Sequence, residues 1–321
     1  MAVYTEVSAE ALAVFLEGYD IGLAHSLKGI AEGVENSNYL LTTERGTFLL
    51  TLYEKRVDEG DLPFFLGLME HLAKRGVNCP QPVRARNGEA IGRLAGRAAA
   101  VVTFLDGLSV RRPNAAHCGE VGEALARMHQ AGADFALRRA NALTMPAWAG
   151  LFAAARARAD EVAPGLAQET EAQLAFLQKA WPSGLPSGVI HADLFPDNVF
   201  FFADRLSGVI DFYFACNDFL AYDLAIGLNA WAFEENGEFN NARGRAMFEG
   251  YSAVRPLEPA EVEALPVLAR GAALRFMLTR LVDWLNVPPG ALVKPHDPRE
   301  YLHKLRFSTQ ATSARDYGWR A

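Results

Sequence analysis

The chain has 321 residues, of which 50% are hydrophobic and 21% charged, and its formal net charge is −7. This length allows one large or two medium domains with a substantial core. The acidic balance, without a basic stripe, argues against a nucleic-acid partner or a membrane-surface role. The amino terminus lacks a signal region, no apolar run approaches about 18 residues, and the three cysteines form no C-x-x-C pair. We therefore expect a cytoplasmic protein with no membrane contact.

The first third of the chain combines two helical patterns with several strands. The helical spacing of apolar residues covers 7–18 and then begins again near Leu62, with Gly76 as the predicted end of the second helix. The predicted strands are short runs between turn signals, at 26–30, 38–43, 47–53, 83–86, 89–94 and 97–104. These elements predict a small lobe with a five-stranded antiparallel sheet.

After Asp106-Gly107 the periodicity becomes mainly helical. The predicted helices lie near 114–131, 146–160, 166–180, 220–232, 240–254, 259–286 and 297–308. A proline-rich loop is expected at 287–298. The change of pattern divides the chain into an N-terminal lobe, residues 1–105, and a larger helical C-terminal lobe, residues 106–321.

The most informative segment interrupts the helical part. His191, Asp193 and Asn198 form the pattern H-x-D-x-x-x-x-N, and I-D-F follows at 210–212. This is the layout of a kinase catalytic loop and its metal-binding strand. Phosphoryl transfer needs one carboxylate at the acceptor hydroxyl, plus an oxygen ligand and a second carboxylate that hold Mg²⁺ against the phosphates. Asp193, Asn198 and Asp211 supply these groups; the alternative is a polar turn between two core strands.

From Ser26 to about Ala225 the chain resembles the aminoglycoside phosphotransferase and choline kinase branch of the kinase-like fold. Residues 189–199 carry the resemblance to the superfamily. The resemblance implies an α+β, protein-kinase-like fold with two lobes, ATP and Mg²⁺ as cofactors, and a small-molecule acceptor. Segments 29–39 and 48–54 resemble the members that phosphorylate the hydroxyl of L-homoserine on the route to threonine.

The resemblance also implies roles for individual residues. Asp193 would accept or orient the proton of the acceptor hydroxyl, and Asn198 and Asp211 would bind Mg²⁺. His191 would brace the catalytic loop through hydrogen bonds. Asp223, in the segment Y-D-L-A, would support the same region.

The nucleotide is expected to contact backbone groups in two places. The turn between the first two strands would offer N–H groups to the phosphates, through Gly33, Val34, Asn36, Ser37 and Asn38. The end of the last strand would bond to adenine, through Thr103, Phe104 and Leu105. An ordinary hairpin turn and an ordinary strand end are the alternatives. The pattern G-x-x-x-x-G-K-[ST] is absent, which disfavours a P-loop enzyme.

One position departs from the usual kinase pattern. Kinases place a lysine on the third strand and pair it with a glutamate on the following helix. Here Thr51 occupies the strand position and the helix position falls near Leu66. The members that act on L-homoserine share this threonine. The charge at the phosphates would then come from Lys55, Arg56 or Lys28.

The acceptor site is expected on the helix at 259–286, which carries Arg275, Arg280, Asp283 and Trp284. An acceptor with a carboxylate and an ammonium needs a cation and an anion near Asp193. Arg280 and Asp283 are i, i+3 neighbours and could equally form a surface pair.

Other acceptors remain alternatives on the sequence alone. Trp231 and Trp284 would suit a cage for choline, or would simply belong to the core. Ethanolamine, an aminoglycoside and methylthioribose are further acceptor classes. An inactive nucleotide-binding scaffold is the alternative outside the enzymes, and the oligomeric state is open.

Overall fold

The structure is a computed structural model that describes residues 5–30, 36–54, 57–287 and 295–320. Backbone contacts divide the chain into two compact units. The first unit comprises Met1–Gly107 and Ser207–Tyr213, and the second comprises Leu108–Leu206 and Phe214–Ala321. Among the described residues, no helix combines the length and the apolarity needed to cross a membrane.

This division differs from the two continuous predicted lobes in one segment, Ser207–Tyr213. The backbone N–H of Val209 donates to the carbonyl of Asn78 at 2.9 Å, and the hydroxyl of Ser207 donates to the carbonyl of Asp106 at 2.9 Å. The hydroxyls of Tyr213 and Tyr53 lie 3.2 Å apart. These long-range bonds attach the segment to the first unit, and sequence periodicity does not encode them.

The first unit contains the predicted five-stranded antiparallel sheet, with strand order β1-β2-β3-β5-β4. Its strands are β1 Ala24–Gly29, β2 Ser37–Thr43, β3 Gly46–Leu52, β4 Gly92–Leu94 and β5 Arg97–Thr103. The predicted strand at 83–86 was wrong, because the structure assigns no strand there. The backbone N–H of Val83 donates to the carbonyl of Val101 at 2.8 Å, but that of Ala85 donates to the carbonyl of Glu89 at 2.8 Å, so no ladder continues along the segment. Only an isolated bridge, Pro82 to Val102, remains.

Two helices accompany the sheet, α1 Ala9–Leu16 and α2 Leu62–Lys74. Both predicted helices are confirmed, the first with shorter bounds. Leu12 and Leu16 of α1 pack against a buried cluster that includes Leu41 and Leu50 of the sheet. Gly76 follows α2 with a φ of 83°, a conformation that glycine adopts without a steric penalty.

The second unit is mainly helical and confirms every helix predicted after residue 107. Its helices are α3 Ala115–Ala131, α4 Met145–Ala155, α5 Leu166–Ala180, α6 Leu220–Trp231, α7 Asn241–Val254, α8 Pro259–Leu285 and α9 Pro298–Gln310. The helix predicted to reach residue 160 is α-helical only to Ala155 and continues as a 3₁₀ turn, Arg156–Glu161. Most of the predicted loop at 287–298 lies outside the described residues.

Short strands flank the loop 191–198. Strand β7 Ser187–Ile190 precedes it and pairs antiparallel with β10 Cys216–Phe219. Strand β8 Val199–Phe202 follows it and pairs antiparallel with β6 Leu108–Ser109. A further strand, β9 Arg205–Val209, begins in the second unit and ends in the first. The H-x-D motif therefore lies between two short strands, β7 and β8.

Candidate active site

The buried carboxylate of Asp223 holds the start of the loop 191–198. Oδ2 of Asp223 accepts the backbone N–H of His191 at 2.6 Å, and Oδ1 accepts that of Ala192 at 2.8 Å. Asp223 lies in the first turn of α6 and is fully buried. Two charge-assisted bonds from one carboxylate fix where the loop leaves β7.

The same carboxylate has a third partner, His129 on α3. Nε2 of His129 donates to Oδ2 of Asp223 at 3.1 Å, and its Nδ1 lies 2.8 Å from the hydroxyl of Tyr251. Burial raises the pKa of Asp223, but the bonds and charges of His129 and His191 outweigh it, so this pKa lies below its ordinary value. The carboxylate is therefore ionised where it holds the loop. The sequence analysis did not single out His129, whose only local signal is a histidine on an otherwise apolar helix face.

The second loop residue is held in an unusual backbone conformation. Ala192 has a φ of 64°, which is uncommon for a residue with a Cβ. Its carbonyl accepts an N–H of Arg275 at 2.8 Å. Arg275 comes from α8, is 1% exposed, and its guanidinium carbon lies 4.5 Å from the ring centroid of Phe276. Helix α8 therefore restrains the loop at Ala192, a role that the sequence did not reveal.

Asp193 and Asn198 meet at the centre of the loop. Nδ2 of Asn198 donates to the backbone carbonyl of Asp193 at 2.8 Å and to its carboxylate oxygen Oδ2 at 3.2 Å. The backbone N–H of Asp193 donates to Nδ1 of the buried His191 at 3.3 Å. Asp193 itself is half-buried. These bonds orient a carboxylate that keeps some contact with solvent.

Asp211 belongs to the first unit and lies two residues beyond Val209, the last residue of β9. It is exposed and has a φ of 64°. Left-handed backbone in a residue with a Cβ is concentrated at functional sites. Within the described ranges, no group of three or more His, Cys, Asp or Glu side chains is arranged to hold a metal ion.

The predicted phosphate-contacting turn is described from Asn36 onward, whereas Gly33 and Val34 lie outside the described residues. The hydroxyl of Ser37 donates to Glu54 at 2.7 Å, and Oδ1 of Asn36 accepts the backbone N–H of Glu54 at 3.3 Å. Glu54 also pairs with Arg97 at 3.2 Å. The end of this turn is therefore attached to the ends of the sheet by buried polar contacts.

Thr51 is the residue predicted at the position where kinases usually carry a lysine. It is buried on β3 directly opposite Asn38 of β2, and its hydroxyl donates to Oδ1 of Asn38 at 2.8 Å. An uncharged pair, Thr51 and Asn38, therefore occupies this position. Of the predicted replacements for the lysine charge, Lys28 is exposed on β1, and Lys55 and Arg56 lie outside the described residues.

The predicted adenine contacts lie at and after the end of β5. The backbone N–H of Thr103 donates to the carbonyl of Gln81 at 2.9 Å, and the hydroxyl of Thr103 accepts the backbone N–H of Gln81 at 2.9 Å. Phe104 is 44% exposed. Leu105 contacts Gly208, where an added Cβ would lie 2.7 Å from its Cδ1. The backbone N–H of Thr103 is therefore already engaged within the first unit.

The acceptor candidates on α8 occupy different environments. Arg280 pairs with Glu300 of α9 at 2.6 Å, so the structure does not show the alternative pair with Asp283. Asp283 and Trp284 are exposed. Trp231 is fully buried and its indole N–H donates to the carbonyl of Leu194 at 2.7 Å, so it belongs to the core and not to a cage with Trp284.

Solved structures of kinases share this fold. An amicoumacin kinase in complex with AMP-PNP and Ca²⁺ aligns with a TM-score of 0.70 at 16% identity, covering 94% of this chain and 92% of that chain. Choline kinase from Cryptosporidium parvum Iowa II aligns with a TM-score of 0.67 at 13% identity, covering 94% and 95%. The chain therefore has the protein-kinase-like fold of these structures.

Sequence comparison is more specific. The model of the phosphotransferase enzyme family matches residues 26–257. Homoserine kinase of Methylobacterium sp. (strain 4-46) is 66% identical over 319 residues, with 99% of both chains covered. Homoserine kinase of Xanthobacter autotrophicus is 65% identical over 318 residues, again with 99% of both covered. The chain belongs to the phosphotransferase enzyme family and, within it, to the homoserine kinases.

Proposed function

We propose that this protein transfers the γ-phosphoryl group of ATP to the hydroxyl of L-homoserine, forming O-phospho-L-homoserine for threonine biosynthesis. The observation that carries the proposal is the loop 191–198, in which Asn198 and His191 orient the carboxylate of Asp193. The full-length likeness to homoserine kinases supports the choice of acceptor.

Asp193 is the proposed catalytic residue. Its carboxylate orients the acceptor hydroxyl toward the γ-phosphorus and receives the hydroxyl proton. As the new oxygen–phosphorus bond forms, the bond from the γ-phosphorus to the β,γ-bridging oxygen breaks and ADP leaves. In a loose transition state the hydroxyl becomes acidic late, so a carboxylate is a sufficient proton acceptor. His191 and Asp223 position this loop and do not touch the reacting atoms.

Asn198 and Asp211 are the proposed ligands of Mg²⁺. Both offer oxygen donors of the kind that Mg²⁺ prefers, and few protein ligands suffice because phosphates and water complete its coordination. When bound, Mg²⁺ neutralises charge on the phosphates. The amide nitrogen of Asn198 is directed to Asp193, which leaves its amide oxygen for the metal.

The first unit is the proposed nucleotide-binding lobe, and the second the catalytic and acceptor-binding lobe. The proposed phosphate contacts are Thr51 and the residues of the turn, Gly33, Val34, Asn36, Ser37 and Asn38. Backbone groups of Thr103, Phe104 and Leu105 are the proposed adenine contacts, and the N–H of Thr103 is the one group among them that already bonds to the carbonyl of Gln81. Arg280 is the proposed partner of the acceptor carboxylate, with Asp283 and Trp284 on the same part of α8.

The test is ATP turnover by the purified protein with Mg²⁺, compared among L-homoserine, choline, ethanolamine, methylthioribose and kanamycin at equal concentrations. Turnover confined to L-homoserine, with the phosphorylated product identified by mass spectrometry, is the expected result. Preference for another acceptor would overturn the substrate. Binding of Mg-ATP without turnover of any acceptor would indicate an inactive scaffold.

A further inference from the structure

A cluster of ions lies between α8 and α9 in the second unit. The carboxylate of Glu300 pairs with Arg280 at 2.6 Å and with Lys304 at 2.6 Å. The two cationic side chains are only 12% and 6% exposed, whereas Glu300 is 51% exposed. Among the described residues, Glu300 is the only carboxylate at salt-bridge distance from either cation. Two nearly buried cations therefore share one carboxylate among the described residues, an arrangement that a further anion would stabilise.

Tyr301 links these cations through its ring. Its centroid lies 4.5 Å from the guanidinium carbon of Arg280 and 4.3 Å from Nζ of Lys304. Tyr301 is fully buried, and its hydroxyl has no hydrogen-bond partner within the described part of the chain. Buried hydroxyls without a partner are rare in folded proteins, because each loses its bonds to water without replacement. Thr170, Tyr222, Ser252 and Tyr317 also carry buried hydroxyls without a partner among the described residues, and Tyr301 differs from them in the two cations that lie against its ring.

The cluster borders the catalytic loop. Phe195 is two residues beyond Asp193, and its ring centroid lies 6.2 Å from that of Tyr301. The guanidinium carbon of Arg280 lies 6.0 Å from the same Phe195 ring. A ligand that bonds to this hydroxyl therefore lies beside the loop that carries Asp193.

We propose that Lys304 and Tyr301, together with Arg280, bind the carboxylate of the acceptor and so select a hydroxyl-bearing amino acid over a simple amino alcohol. This inference rests on the proposed function and extends it to residues of α9. The acceptor carboxylate would supply the missing negative charge and accept the hydrogen bond of the Tyr301 hydroxyl. Glu300 keeps the two cations in place while a second anion binds.

The test compares two acceptors, L-homoserine and 3-aminopropan-1-ol, which has the same amino and hydroxyl groups but no carboxylate. We expect Lys304→Met to raise KM for L-homoserine about ten- to hundred-fold, because it removes a charged hydrogen-bond donor. The kcat/KM for 3-aminopropan-1-ol should change less than about two-fold, and KM for ATP should be unaffected. Lys179→Met, on the exposed surface of α5, is the matched control.

Tyr301→Phe provides a second variant that removes only the hydroxyl. Because that hydroxyl has no partner among the described residues, the thermal midpoint should hold while KM for L-homoserine rises several-fold. This variant decides the question if Lys304→Met does not fold. Tyr317→Phe removes another buried tyrosine hydroxyl outside the cluster and serves as its control.

Two results would overturn the carboxylate site. One is an equal loss of kcat/KM for both acceptors, which indicates a structural role. The other is an unchanged KM for L-homoserine in both variants. Failure of the wild-type protein to phosphorylate L-homoserine would instead overturn the proposed function itself, so the two failures are distinguishable.

Discussion

Nε2 of His129 lies 3.1 Å from Oδ2 of Asp223, and neither side chain is exposed to solvent. This pair joins α3 to α6, while the same carboxylate holds the first two N–H groups of the catalytic loop. Tyr251 continues the contact from His129 to Arg255, which pairs with the buried Glu261 at 3.0 Å. The loop is thereby bonded into the helical core at its starting point.

Asp223→Ala should destabilise the protein and slow catalysis. The substitution leaves His129 and two backbone N–H groups without their buried acceptor, which should lower the free energy of unfolding by about 3–5 kcal/mol. The loop loses its positioning at the same time, so kcat should fall more than about tenfold. Urea unfolding and steady-state kinetics measure the two effects. An unchanged unfolding midpoint would contradict the role of this carboxylate.

Asp193→Ala should remove most of the activity without removing nucleotide binding. Loss of the group that receives the proton typically costs about 10²–10⁴-fold in kcat. The dissociation constant for Mg-ATP, measured by calorimetry, should change little. Asp197→Ala is the matched control, because Asp197 is an exposed aspartate in the same loop. Activity near that of the wild type in Asp193→Ala would rule out the assignment.

Arg275→Met should act on catalysis through the conformation of Ala192. The variant keeps much of the side-chain volume but loses the N–H that Ala192 accepts, so stability should fall by about 1–3 kcal/mol. The left-handed residue then lacks a restraint next to Asp193, and kcat should fall with KM for ATP unchanged. Arg270→Met, on the same helix, should retain kcat. Equal kcat values for the two variants would contradict the proposal.

Thr51→Val should weaken nucleotide binding selectively. It removes the hydroxyl that bonds to Asn38 but preserves the shape of the buried side chain. The lost bond, worth about 1 kcal/mol, holds Asn38 of the proposed phosphate-contacting turn. KM for ATP should therefore rise about five-fold, whereas KM for L-homoserine should not change. Thr47→Val changes an exposed threonine on the same strand and is the control. A change in KM for L-homoserine alone would indicate that Thr51 contributes to acceptor binding and not to nucleotide binding.

Because of Glu300, the free energy of unfolding should decrease at acid pH. Burial raises the pKa of Glu300, but the charges and hydrogen bonds of Lys304 and Arg280 outweigh this effect and lower the pKa from 4.5 to about 2. A lowered folded-state pKa gives stability that is complete above 4.5 and is lost as the pH falls toward 2.

The comparison of wild type with Glu300→Gln tests this dependence. The difference in free energy of unfolding should be of order 1 kcal/mol near neutral pH, since the half-exposed carboxylate is screened by solvent. The difference should shrink as the pH falls below 4.5. Urea titrations at a series of pH values measure it. A difference that stays constant over this range would show that Glu300 does not titrate as expected.

The sequence by itself determined the elements and the identity of the loop. Helices α3 to α9 follow from apolar residues at helical spacing, and five strands follow from turn signals, because both depend on neighbouring residues in the chain. The strand prediction at 83–86 failed because the backbone N–H of Ala85 bonds to the carbonyl of Glu89 and does not extend the ladder with β5. The spacing of His191, Asp193 and Asn198 was sufficient to indicate phosphoryl transfer, since those groups act within one short loop.

Only the tertiary structure decided which distant side chains hold that loop. His129 and Arg275 lie far from it in sequence, and packing of α3 and α8 brings them to Asp223 and Ala192. Likewise, Arg280 finds Glu300 on α9 and not its helical neighbour Asp283. Periodicity shows which face of a helix is buried, but it does not show which helix packs against that face. The partners of a buried charge therefore depend on packing between elements that no local pattern encodes.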